Sequence, residues 1–360
     1  MKQRVMGFDL ARALAIFGMV IVNFKLAMNS ETGNEFLLWF SALFEGRASS
    51  LFVILAGIGV TFLTNKARKS EDSLIIYKCR LSLIKRALLL ITIGLMYTPI
   101  WEADILHFYG FYFMIAAIVF MASNRILLIV SASIALSFPI LMLLFNYDQN
   151  WNWSSLTYMN LWSFDGMIRH VLFNGFHPVF PWASFLIFGM WLGRVDLSQT
   201  ITRNRLLIWS LITLVTTELI FYFARVYIGD GAELGLSPEE ITALFSISII
   251  PPFPQYIISA GSSACIVLVG CLYFSDKFRE SKINVWLCQT GQLSLTLYVA
   301  HVILGMGALD SLNRLSNQTI DSSLLSSLIF CVCGVAFSVF WLKYFKAGPL
   351  ELLFRKLTKV

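Results

Sequence analysis

The chain of 360 residues consists mostly of apolar stretches that are long enough to cross a lipid bilayer as helices. About 20 apolar residues are needed to span the hydrocarbon core. The pattern predicts an all-α, polytopic integral membrane protein with about ten transmembrane helices, at 6–28, 49–65, 81–101, 106–122, 127–146, 176–193, 206–227, 255–274, 285–307 and 323–342. An even number of spans places both termini on one side.

The basic residues of the connecting segments decide which side that is. With the N-terminus inside, 21 of the 27 Lys and Arg residues lie on the inner side and five on the outer side, while Arg12 lies within the first span. Short connectors rich in Lys and Arg stay in the cytoplasm. Both termini are therefore predicted to be cytoplasmic. The net charge of +6 indicates an inner surface that suits anionic lipid, and no nucleic-acid binding is expected.

The chain has no obvious linker, low-complexity tract or repeat, so we predict a single transmembrane domain over residues 1–360. With 58% hydrophobic and 13% charged residues, an ordinary soluble domain is excluded. Two outer segments are predicted to form short helices. Residues 36–46 have an amphipathic pattern, and residues 238–246 follow Ser237 and Pro238, a typical helix start.

Polar residues form a stripe through the first span. Asp9 and Arg12 are three residues apart, and Asn23 follows Arg12 by eleven residues, which returns to nearly the same helix face. Charged residues inside a membrane usually face a cavity or a partner. Two interpretations stay open: an Asp–Arg pair that fixes helix packing, or the wall of a polar channel.

The histidines are the second group of candidate residues. All four, namely His107, His170, His177 and His301, fall at or toward the predicted outer side. Asp104 precedes His107 by one helical turn, and a carboxylate that orients an imidazole is the arrangement of a general base. An interfacial hydrogen bond is the other role for each histidine. The spacing matches no tight ligand motif, so no metal site is expected.

Further polar residues lie near the predicted outer side. Ser294, Tyr298 and His301 are spaced at i, i+4 and i+7, which places them on one face of span nine. Interhelical hydrogen bonding and catalysis both explain this alignment. Glu45 and Arg47 precede the second span and add charge on the same side.

Several of these motifs together resemble the bacterial transmembrane acyltransferase superfamily, and in particular its YeiB-like branch. They are the first-span pattern from Gly7 through Asp9 and Arg12 to Asn23, Glu45-Gly-Arg47, Asp104-Ile-Leu, Gly291 through Tyr298 to His301, and Gly348-Pro349-Leu-Glu351 with Arg355 and Thr358. The superfamily includes heparan-α-glucosaminide N-acetyltransferase and the membrane O-acetyltransferases of bacterial polysaccharides. The resemblance covers essentially the whole chain. It implies transfer of an acyl group from cytoplasmic acyl-CoA to an extracytoplasmic acceptor, often a sugar.

The chain departs from these relatives at the expected catalytic histidine. The polysaccharide O-acetyltransferases have a histidine eleven residues after the first-span arginine, where this chain has Asn23. The heparan enzyme has its catalytic histidine soon after that span, whereas residues 24–50 contain none. The resemblance therefore implies that the base is His301, His107 or His177, with Asp104 as a further catalytic candidate.

The charge and position of the remaining candidate residues fit the mechanism that the resemblance implies. CoA carries phosphates, which favour Arg and Lys, so we expect the donor to be bound by Arg12 with Asp9 and by Arg80, Lys85 and Arg86. Residues expected to contact the acceptor are Asn23, Glu45, Arg47, Ser294 and Tyr298. No cofactor is expected to be bound permanently, since acetyl-CoA or another acyl-CoA is a donor substrate.

The sequence therefore predicts an acyl-CoA-dependent acyltransferase in a bacterial inner membrane. Its expected partners are membrane lipid, acyl-CoA and a polysaccharide or glycolipid acceptor of the cell envelope, with a homodimer as one possible state. An alternative is a transporter or flippase for a small anion or lipid-linked sugar, because polar intramembrane residues and interrupted helices suit both. A non-catalytic partner in envelope assembly is a third hypothesis.

Overall fold

The computed structural model describes residues 5–228 and 237–359, and over them it is mostly helical with almost no strand. The helices of the first half are α1 (Met6–Ala27), α2 (Glu35–Ala42), α3 (Arg47–Arg68), α4 (Ser73–Tyr97), α5 (Leu106–Val119), α6 (Asn124–Leu144), α7 (Phe164–Arg169), the π-helical segment π1 (His170–Asn174) and α8 (Val179–Leu192). Those of the second half are α9 (Thr200–Ile228), α10 (Pro238–Phe245), α11 (Pro254–Lys277), α12 (Lys282–Gln292), α13 (Ser294–Ala300), the π-helical segment π2 (His301–Met306), α14 (Gly307–Ser311), α15 (Ile320–Tyr344) and α16 (Pro349–Leu357). A short antiparallel hairpin pairs β1 (Trp151–Asn152) with β2 (Thr157–Tyr158). The predicted all-α class is confirmed.

Seven helical segments of the described ranges are long and apolar enough to cross a membrane: Met6–Ala27, Glu35–Arg68, Asn124–Leu144, Thr200–Ile228, Pro254–Lys277, Ser294–Ser311 and Ile320–Tyr344. The count rises to eight if Phe164–Asn174 and Val179–Leu192, which meet at a bend of 51°, form one broken span. Of the remaining predicted spans, α4 carries four basic residues, and α5 has 14 residues. A helix of that length is only about 21 Å long. The count of about ten spans and the side of the termini stay predictions.

The helices group into two compact units, and the first combines helices from the N-terminal and C-terminal parts of the chain. It comprises Met1–Leu55 and Ala264–Leu357. In it α1 packs mainly against α12 and α15. The buried face of α1 is rich in small residues, namely Gly7, Ala11, Ala13, Ala15 and Gly18. Small residues let helices approach closely, which is how helices associate in a membrane.

The second unit comprises Ala56–Ser263 and Thr358–Val360. Its main helix pairs are α4 with α5 and α6 with α8. An aromatic cluster of Phe138, Tyr147, Phe173 and Phe253 is buried within it. In contrast, α9 buries only Arg203 and Ser210 among its described residues, so this long apolar helix exposes much of its surface. Whether residues 1–360 act as one domain stays a prediction.

The two predicted short helices are both present. Asn34 caps α2, because its side-chain oxygen accepts hydrogen bonds from the backbone N–H groups of Phe36 and Leu37. At α10, the Ser237 hydroxyl accepts from the Glu240 N–H, and the Glu240 carboxylate accepts from the Ser237 N–H. This reciprocal pair is a capping box, as the Ser-Pro start signal predicts.

Candidate active site

The polar stripe of α1 begins with a buried ion pair. Asp9 Oδ1 accepts a hydrogen bond from Arg12 Nη1 at 2.8 Å, with side-chain exposures of 3% for Asp9 and 24% for Arg12. The pairing expected from their spacing therefore forms. Asp9 is buried within the first unit, while the Arg12 side chain is partly exposed.

Asn23, the third member of the stripe, pairs with a histidine from late in the chain. The Asn23 Nδ2 atom lies 2.8 Å from His301 Nε2, and His301 is fully buried. His301 Nδ1 contacts the backbone carbonyl of Tyr298, which can only accept a hydrogen bond. Nδ1 must therefore carry the proton, and Nε2 presents its lone pair to the Asn23 amide. In this arrangement Nε2 has the free lone pair that a general base needs.

Aromatic rings enclose this Asn–His pair. The His301 ring centroid lies 5.0 Å from that of Tyr298 and 6.5 Å from those of Phe24 and Phe330. Phe52 stacks on Tyr298 at 6.4 Å. Such a wall lowers the local dielectric and strengthens any charge interaction made inside it.

The other polar residues predicted for this unit include an ion pair close to Asn23 in the sequence. Lys25, two residues beyond Asn23, lies 3.0 Å from the Glu45 carboxylate and 3.5 Å from that of Glu31. Glu45 therefore forms an ion pair with Lys25. Arg47 is half-buried at the first position of α3, and Ser294 is the first residue of α13.

The second unit holds the predicted Asp–His pair. Asp104 Oδ2 accepts hydrogen bonds from Leu106 N at 2.9 Å, His107 N at 3.3 Å and His107 Nδ1 at 3.2 Å. Asp104 and His107 are both fully buried. The carboxylate thus caps the start of α5 and orients the imidazole, whose buried Nε2 has no hydrogen-bond partner among the described residues. Capping and general-base catalysis both fit this geometry.

Two further histidines of the second unit lie beside this pair. The His170 ring stacks on His107 with centroids 5.5 Å apart. The Phe108 ring contacts both His170 and His177, with centroid distances of 5.1 Å and 6.1 Å. Within the part of the chain that the structure describes, the Nδ1 atoms of His170 and His177 are buried without a hydrogen-bond partner. His170 was one of the four candidate histidines, but no catalytic role was predicted for it.

The basic candidates Arg80, Lys85 and Arg86 all lie on α4 of the second unit. Arg80 Nε donates to the carbonyl of Ala117 at 3.0 Å and its guanidinium lies over the Phe120 ring. Arg194 donates to the Phe120 carbonyl at 2.9 Å. Burial lowers the pKa of Arg194 to about 10, which leaves it charged at neutral pH. The two arginines complement the C-terminal end of α5.

Removing the Asp104 carboxylate is expected to destabilise the second unit. In Asp104→Ala the N–H groups of Leu106 and His107 lose their acceptor, which costs about 0.5–2 kcal/mol for a helix cap. Thermal unfolding in detergent measures this loss. Asp165→Ala, at an exposed position in the first turn of α7, is the matched control. Equal midpoints for the two variants would show that Asp104 does not hold the start of α5.

Within the described residues, no group of three or more His, Cys, Asp or Glu side chains is placed to hold a metal ion. The apolar helices and the buried polar pairs between them define an integral membrane protein with an enclosed polar site.

Comparison with known families identifies the class further. Residues 4–227 match the family described as heparan-alpha-glucosaminide N-acetyltransferase, catalytic. Residues 240–360 match the family described as protein of unknown function (DUF418). The first match covers more than half of the chain, so this protein belongs to the heparan-alpha-glucosaminide N-acetyltransferase catalytic family. The resemblance to the YeiB-like branch is also confirmed. No curated protein matches the chain.

Proposed function

We propose that this protein transfers an acetyl group from cytoplasmic acetyl-CoA, or another acyl-CoA, to a hydroxyl or amine of an extracytoplasmic acceptor such as an envelope sugar. The observation that carries the proposal is the buried contact between Asn23 and His301, at 2.8 Å. It places a neutral imidazole against an amide donor inside a membrane protein of an acetyltransferase family. The bacterial inner membrane is the expected location.

The Asn–His pair supplies the two groups that acyl transfer needs. His301 Nε2 takes the proton of the acceptor hydroxyl, and the acceptor oxygen attacks the thioester carbonyl carbon. The entering hydroxyl takes the place of the Asn23 amide at Nε2, so the freed N–H donates to the developing oxyanion. When the tetrahedral intermediate collapses, the CoA thiolate leaves and takes the proton back from the imidazolium.

The rest of the α1 stripe is suited to the donor. Arg12 lies eleven residues before Asn23, about 16 Å along the helix on nearly the same face. A guanidinium binds phosphate through several N–H groups, and Arg12 keeps an exposed fraction beside its partner Asp9. We infer that Arg12 binds a phosphate of CoA while the pantetheine arm extends along α1 toward Asn23.

A transporter or flippase is the second candidate, favoured by one observation. The Phe164–Leu192 region bends by 51°, and the segment from α12 to α13 is broken at Leu293. Interrupted helices commonly build transport sites. Proton-coupled transport of this kind would show substrate uptake without thioester turnover, so an assay that measures both separates the two functions.

Binding of acetyl-CoA to the purified protein in detergent, measured by calorimetry, tests the donor assignment. We expect binding to wild type and at least about tenfold weaker binding to Arg12→Gln, because a phosphate contact is lost. Arg314→Gln, at an exposed position of the same unit, removes an equal charge and should bind normally. Folding is checked by gel filtration and thermal unfolding, because Arg12 compensates the buried Asp9. Equal affinity of all three folded proteins would overturn the role of Arg12.

A further inference from the structure

The helix that carries His301 begins at a break inside the first unit. Helix α12 ends at Gln292, Leu293 leaves the helical conformation with φ −105° and ψ 23°, and α13 begins at Ser294. The first N–H groups of a new helix have no partner within it. At a buried break they need an acceptor from elsewhere.

The C-terminal helix α16 supplies that acceptor through Glu351. Glu351 Oε1 accepts hydrogen bonds from Leu295 N at 2.8 Å and Thr296 N at 3.2 Å, and Oε2 accepts from the Thr296 hydroxyl at 2.6 Å. The Thr296 hydroxyl oxygen in turn accepts from Leu350 N at 3.1 Å. A carboxylate at this position also suits the positive end of the α13 dipole.

Close backbone approach fixes both sides of the break. A side-chain carbon at Gly291 would overlap the carbonyl oxygen of Asp9, so α12 contacts α1 directly. A side-chain carbon at Gly348 would overlap Glu351 Oε2 and would lie 2.8 Å from Thr296 Oγ1. The close contacts with α1 on one side and with α16 on the other therefore fix where the helix break lies within the first unit.

We propose that Glu351 is a positioning residue that holds α13 in the orientation required by His301. The Tyr298 carbonyl, which contacts His301 Nδ1, lies two residues beyond Thr296, and His301 itself begins π2. A rotation or shift of α13 moves the carbonyl and the imidazole together, away from Asn23. This positioning role rests on the proposed catalytic role of His301, because it concerns the orientation of the His301 imidazole toward Asn23.

Glu351→Ala and Glu351→Gln form the test pair. Glu351→Ala leaves the Leu295 and Thr296 N–H groups without their acceptor, whereas the side-chain amide oxygen introduced by E351Q can still accept from both. We expect kcat for acetyl transfer to fall at least about tenfold in E351A with KM for acetyl-CoA within about twofold of wild type, since a small misplacement of a catalytic group is costly. E351Q should regain most of this loss. Gly348→Ala, which displaces the carboxylate, should follow E351A.

A second readout does not depend on activity. The chain has only four histidines, so imidazole nitrogen NMR of histidine-labelled protein in lipid nanodiscs resolves individual rings, with His301→Gln assigning the signal. We expect the Nδ1–H tautomer of His301 in wild type and E351Q, and a mixture of tautomers in E351A. An unchanged His301 signal together with an unchanged kcat in folded E351A would overturn the proposal.

These two readouts separate failure of this inference from failure of the proposed function. If His301→Gln keeps full turnover, the catalytic assignment is wrong, yet the NMR signal still shows whether Glu351 orients the ring. If His301→Gln is inactive while E351A matches wild type in both readouts, only the positioning role is wrong.

Discussion

Replacing His301 with Gln is expected to lower kcat for acetyl transfer by about a hundredfold to ten-thousandfold, the range lost with a general base. Gln is chosen because its side-chain oxygen can still accept a hydrogen bond from Asn23, so the change removes basicity and leaves the polar contact. KM for acetyl-CoA should change little. The assay follows release of the CoA thiol by protein in vesicles that contain the acceptor fraction.

His107→Gln is the comparison that makes this result informative. His107 is oriented by Asp104 and has a buried Nε2 without a partner in the described ranges, so it is the rival base. If His107→Gln loses acetyl transfer while His301→Gln retains it, the general base is His107 in the second unit. Both variants should melt near the wild-type temperature before their rates are compared.

Replacing Asn23 with Leu is expected to lower kcat by about a hundredfold to a thousandfold, the loss typical of one oxyanion donor. Leu has nearly the shape of Asn and removes both the donor and the acceptor. Asn23→Asp keeps the shape but places a carboxylate against His301 Nε2, which favours the imidazolium and repels an oxyanion. We expect N23D to be at least as damaging as N23L, with acetyl-CoA binding retained by both.

The relative kcat values of N23L and N23D distinguish a packing role of Asn23 from an oxyanion-stabilising role. A packing role predicts that the polar Asp is tolerated better than Leu, whereas an oxyanion role predicts the reverse or equality. Rates close to that of wild type for both variants would remove Asn23 from the mechanism.

Local patterns predicted much of this structure. The spacing of Asp9 and Arg12 predicted the observed pair, because residues three apart in a helix are neighbours. The predicted Asp104–His107 pair also forms, but Asp104 lies before α5 and meets His107 as part of the helix cap. The short helices α2 and α10 followed from their own start signals. These features depend on a few residues that are close in the sequence.

The contacts that the sequence did not predict join distant segments. Asn23 and His301 were both candidate residues, but their contact spans 278 positions. Glu351 was part of a motif, and its hydrogen bonds to Leu295 and Thr296 could not be inferred from any local spacing. Hydrophobicity predicts where apolar helices lie, but it does not show that one is interrupted at Leu293, since the residues on both sides are equally compatible with a continuous helix.

The first unit joins N-terminal helices to helices from late in the chain, and this has a consequence for biosynthesis. During translation α1 is made before most of the chain, yet its main packing partners α12 and α15 are among the later helices. For most of synthesis the polar side chains of α1 therefore lie in the bilayer without these packing partners, which is costly for polar groups in lipid. These side chains are Asp9, Arg12 and Asn23. Nascent chains that stop before α12 should be preferred substrates for membrane proteases, and the later helices would act as a quality check on the first.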